Sequence, residues 1–129
     1  MRYWLRIFPV LVLLGFLANF AAAAETKAVQ TMAGILLKLN HFPSDAEKEQ
    51  LKKLMADKAT TADERVVAQA LMNVQHKVSA DDKPKLDALI KDEAAPASVK
   101  TLARVIVNLN HTPTDAEKEQ LKKLASTGT

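Results

Sequence analysis

Three histidines, His41, His76 and His111, recur at an interval of 35 residues, and each directly follows an amide, Asn40, Gln75 or Asn110. Asp45 and Asp115 stand four residues beyond the first and third. Neutral imidazole is the commonest protein ligand for copper, zinc and nickel, and a nearby carboxylate adds an oxygen donor. His41, His76, His111, Asp45 and Asp115 are therefore the candidate metal ligands. The competing reading is structural: a histidine that ends a helix hydrogen-bonds the last carbonyls and suits the negative end of the helix dipole. In a linear stack of hairpins, neighbouring repeats lie about 8 to 10 Å apart, whereas zinc holds its nitrogens at about 2.0 Å. Histidines on a stacked ridge would then bind singly, each with a carboxylate and water, and weakly.

The same interval organises the rest of the chain. Units 26–60, 61–95 and 96–129 align without a gap. Their columns include Met32, Val67 and Leu102; Ala33, Ala68 and Ala103; Leu36, Leu71 and Ile106; Leu39, Val74 and Leu109. These offsets trace a stripe on one helix per unit. Ile35, Ala70 and Val105, with Leu37, Met72 and Val107, widen that stripe until the helix is apolar over most of its girth, which predicts an inner helix. Met72 precedes His76 by four residues, a spacing that suits a thioether and imidazole pair, but Leu37 and Val107 fill its column elsewhere and predict packing. A second helix in each unit has a thinner stripe (Leu51, Leu54, Met55; Leu86, Leu89, Ile90; Leu121, Leu124, Ala125) and charged remaining faces. It belongs to an outer, wetted layer, with Glu49–Lys53 and Glu119–Lys123 as surface pairs four residues apart.

Capping boxes mark the helix starts at Ser44 with Glu47, Thr61 with Glu64 and Thr114 with Glu117, and Ser79 with Asp82 is a weaker version. Pro96 suits the first position of the fifth helix, Pro43 and Pro113 are placed to break inner helices, and Pro84 should delay or kink the fourth helix. The predicted fold is all-α, three tandem 35-residue helix-turn-helix repeats of six helices, as a short right-handed solenoid or a compact helical bundle. Gapless repetition favours the solenoid. The unit resembles the tetratricopeptide hairpin in outline. That family's Trp, Gly, Tyr and Phe signature positions are missing, so none of its binding residues carries over.

Residues 1–24 have the pattern of a secretory signal: Arg2 and Arg6, an apolar run from Ile7 to Phe20, then four alanines that permit cleavage after Ala23 or Ala24. Left uncleaved, the segment would be the chain's only membrane attachment. The expected location is the periplasm of a Gram-negative bacterium, with 25–129 as one helical-repeat domain. Without the leader the chain has 16 basic and 15 acidic residues, and Phe42 is the sole aromatic. That removes both the basic surface and the stacking faces of a nucleic-acid binder. With no cysteine there is no disulfide, thiolate zinc site or iron-sulfur cluster. Catalysis is not expected. Ser44, Ser79 and Thr114 serve as caps, and no Ser-His-Asp, Gly-rich or HExxH arrangement accompanies His41 and Ser44.

The leading expectation is a non-catalytic exported module that binds a protein or peptide, with no cofactor. Its predicted contact face comprises Lys38, Asn73, Asn108 and Arg104, beside Gly34 and Gln69. Identical stretches at 45–54 and 115–124, DAEKEQLKKL, form a second repeated surface, and recent duplication of a soluble face explains them as well. The alternative expectation is a periplasmic protein that binds or senses Cu, Zn or Ni through the corner histidines.

Overall fold

The structure, a computed structural model, describes residues 25–126, so the leader reading of 1–24 lies outside the described residues. It is all-helical: α1 (Lys27–Lys38), α2 (Asp45–Ala56), α3 (Ala62–Met72), α4 (Lys83–Lys91), α5 (Ala97–Asn108) and α6 (Asp115–Ser126). Among the described residues no helix is long and apolar enough to cross a membrane.

Local chemistry sets the starts. Ser44 and Thr61 accept the amides of Glu47 and Glu64, whose carboxylates accept the cap amides in return. Thr114 and Glu117 make the same reciprocal pair before α6. Pro84 has the effect its ring dictates: the fourth helix begins only at Lys83 and runs nine residues, where the other outer helices run twelve. Ser79 still accepts the Asp82 amide at 3.2 Å and donates its hydroxyl to Asp82 Oδ2 at 2.7 Å. Pro96 falls at the cap position, one residue before the helix it was expected to open.

The helix ends differ from expectation. α1 and α5 stop at Lys38 and Asn108, well before Pro43 and Pro113, and α3 stops at the comparable Met72 although Val78 replaces the proline. The corner itself, not the proline, terminates the helices. Leu39, Val74 and Leu109 are buried immediately after the helices, and the histidine two residues on takes a left-handed conformation.

Met32, Leu36, Val67, Leu71, Leu102 and Ile106 on the inner helices are fully buried, as are Ala33, Ala68 and Ala103. Each large aliphatic side chain contributes about 1.5–3 kcal/mol of apolar transfer. α2, α4 and α6 bury only one or two leucines each and form the outer layer. α2 and α6 carry the surface pairs Glu49–Lys52 and Glu119–Lys122, with the bonding lysine one residue earlier than the i,i+4 spacing predicts, and α4 carries Lys83–Asp87.

Of the two expected arrangements the compact one is found. α2 packs against α3 of the next unit and α4 against α5, and α6 returns to lie along α1. The three inner helices also touch one another pairwise. The hairpins thus close on themselves around a common axis, and the preference for an open superhelix is corrected. A gapless repeat fixes equivalent neighbours but not the rotation between them. With small alanines at the inner contacts, three units suffice to complete the turn.

Candidate metal centre

Closure brings the three corners together. The His41 amide donates to the His111 carbonyl at 3.0 Å, the His76 amide to the His41 carbonyl at 2.6 Å, and the His111 amide to the His76 carbonyl at 2.7 Å. This is a cyclic set of three backbone hydrogen bonds, one per repeat. The buried Leu39, Val74 and Leu109 precede the ring at each corner.

All three histidines are left-handed, with φ of 78°, 67° and 70°. That conformation costs an L-residue about 1–2 kcal/mol, and glycine is its usual occupant. The chain has three glycines and places none at these corners. Strain repeated at three equivalent positions argues that the imidazoles supply something glycine does not.

The rings meet edge to face, with centroids 4.7, 4.9 and 5.0 Å apart. One ring nitrogen from each lies within 4.8 Å of the others. A triangle no wider than that has a point no more than about 2.8 Å from every corner, whereas zinc sits about 2.0 Å from imidazole nitrogen. Each ring then needs to swing inward by at most about 0.8 Å, roughly 15° of side-chain rotation, which stays within a rotamer well. The separation expected for a stacked ridge is therefore overturned: in a closed ring the three equivalent side chains point toward one axis, and a single ion is within reach of all three.

Neighbouring amides prepare two of the rings. Nδ1–H of His41 donates to Asn40 Oδ1 at 2.7 Å and Nδ1–H of His111 to Asn110 Oδ1 at 2.9 Å. This leaves Nε2 as the lone-pair donor of those rings, the way a hydrogen bond from the second nitrogen orients a metal-ligating histidine. At these two corners the ring bonds its adjacent amide instead of the helix's last carbonyls. His41 is half-buried, and His76 and His111 are exposed.

Other candidate residues lie elsewhere. Asp45 and Asp115 are exposed in the first turns of α2 and α6 and are not members of the histidine cluster. Met72 is half-buried against the core, as its column predicted. Lys38, Asn73, Arg104 and Asn108 are all exposed, and Asn73 donates to the buried Asp82 at 3.0 Å. Gln69 lines a shallow groove with Met55, Arg65, Val66, Asp82 and Lys85.

Sequence reasoning missed a cavity of about 430 Å³ at the seam of α1, α2 and α3, lined by residues including Thr26, Lys27, Gln50, Lys53, Asp57 and Glu64. Its buried carboxylate is already engaged. Glu64 accepts the Thr26 hydroxyl at 2.5 Å and the Thr61 amide at 2.9 Å, tying the first unit to the second. The equivalent of Glu64 is Val29 in the first unit and Val99 in the third, so this clamp has no counterpart at those positions.

No protein-family model, curated protein or solved structure matches this chain.

Proposed function

We propose that this protein binds one divalent transition-metal ion, Cu, Zn or Ni, on His41, His76 and His111, as an exported binding or sensing protein of the periplasm. The observation that carries the reading is the convergence of three strained, left-handed histidines to within 4.8 Å of one another. Three imidazoles with no carboxylate in the group suit these borderline ions and not Mg or Ca, which take oxygen ligands. The leader-like residues 1–24 support export. Isothermal titration with each ion tests the proposal. One ion per chain at micromolar affinity or tighter is expected, at least 100-fold weaker after His76→Ala alone. Absence of binding, or three independent weak sites, refutes it.

A second reading, a non-catalytic protein- or peptide-binding scaffold, draws support from the helix sequence shared by α2 and α6, whose Lys52, Lys53, Lys122 and Lys123 are exposed. The exposed Lys38, Asn73, Arg104 and Asn108 remain its proposed contact residues. Replacing Lys38 and Arg104 should weaken capture of a partner without changing helicity, and unchanged capture refutes that face.

A further inference from the structure

We propose that the ion held by the three histidines keeps an open fourth position that faces solvent along the axis and takes a small monodentate anion, with hydroxide as the simplest case. This deepens the metal reading above and rests on it. The histidine cluster offers three donors, and neither Asp45 nor Asp115 belongs to it. On the core side the chain presents Leu39, Val74 and Leu109, buried and without donor atoms in their side chains. On the outer side His76 and His111 are exposed. A tetrahedral ion with three protein ligands on one face directs its remaining position away from that face. Here that direction is outward.

Charge decides what fills the position. Three neutral imidazoles leave the ion's full double charge uncompensated. The groups that accept hydrogen bonds from His41 and His111 are the amides of Asn40 and Asn110, not carboxylates, so no negative charge reaches the ion through these two ligands. An uncompensated dication attracts an anion, and it acidifies a bound water toward neutrality in three-histidine zinc sites. A single open coordination position takes one donor atom, so a monodentate anion fits it.

The test loads the full chain with Co(II), confirms binding by competition with a chelator, and titrates azide while recording the visible spectrum. Intense four-coordinate bands that shift saturably with millimolar azide are expected, with the same response in the Asp45→Asn/Asp115→Asn variant. Weak six-coordinate bands, or bands that ignore azide, overturn the proposal while leaving metal binding intact. An azide response confined to the double variant also overturns it, because a carboxylate would then hold the fourth position. If no cobalt binds, the underlying metal reading fails.

Discussion

Replacing all three corner histidines by glycine separates a ligand role from a structural one. At each corner glycine removes about 1–2 kcal/mol of left-handed strain, against about 0.5–1 kcal/mol of additional backbone entropy lost on folding. The lost edge-to-face contact costs an amount near the lower end of about 0.5–1.5 kcal/mol, because two of the rings are exposed and the third is only half-buried. These terms nearly cancel, so the metal-free triple variant should fall within about 1 kcal/mol of the parent, a melting-temperature change of no more than about 4–8 °C for a domain this size. Alanine at the same positions keeps the strain, and the triple-alanine variant should be less stable than triple glycine by about 1 kcal/mol per corner. Zinc at a hundred times its Kd should stabilise the parent by about 2.7 kcal/mol and leave both variants unchanged. Urea unfolding of the three proteins, with and without zinc, reads every term. A metal-free triple-glycine protein that loses several kcal/mol refutes the reasoning and makes the histidines structural; one that zinc still stabilises refutes it by placing the ion elsewhere.

Leu71→Ala empties a fully buried site on the central helix face and should cost about 2–5 kcal/mol in urea unfolding. Asn40→Ala with Asn110→Ala should weaken zinc about 10- to 100-fold while leaving the melting temperature of the metal-free protein nearly unchanged. Pro84→Ala should extend α4 toward Ser79 and raise far-ultraviolet helicity, with little change in metal affinity. Because α6 lies along α1 as α2 lies along α3, a circular permutant opened between Asp57 and Thr61, with Ser126 joined to Thr26 by a short flexible linker, should fold and bind one ion per chain. Loss of cooperative unfolding in that permutant would contradict ring closure.

The six helices were legible because their signals are local: hydroxyls at 44, 61 and 114 with a glutamate three residues on, and a leucine-alanine stripe that separates inner from outer helices. Closure was not legible. A 35-residue translation in sequence is the same for a superhelix and a ring, and the choice depends on how closely Ala33, Ala68 and Ala103 let the inner helices approach. The histidines were found by type and spacing, but their meeting was hidden with the closure. Their left-handed backbone was hidden too, since glycine is the usual marker of that conformation and none stands there. The two aspartates followed from sequence proximity alone, and the first turns of α2 and α6 hold them apart from the cluster. Proline at 43 and 113 predicts where the inner helices end, yet the unit with Val78 in that column ends α3 at the comparable place.

The most direct measurement is zinc K-edge X-ray absorption on the full chain loaded with one equivalent of the metal. Sharing of one ion by the three repeats predicts three imidazole nitrogens at about 2.0 Å, identified by their outer-shell ring scattering, and one further oxygen or anion donor. A spectrum with a single imidazole and a shell of carboxylate or water oxygens would contradict it.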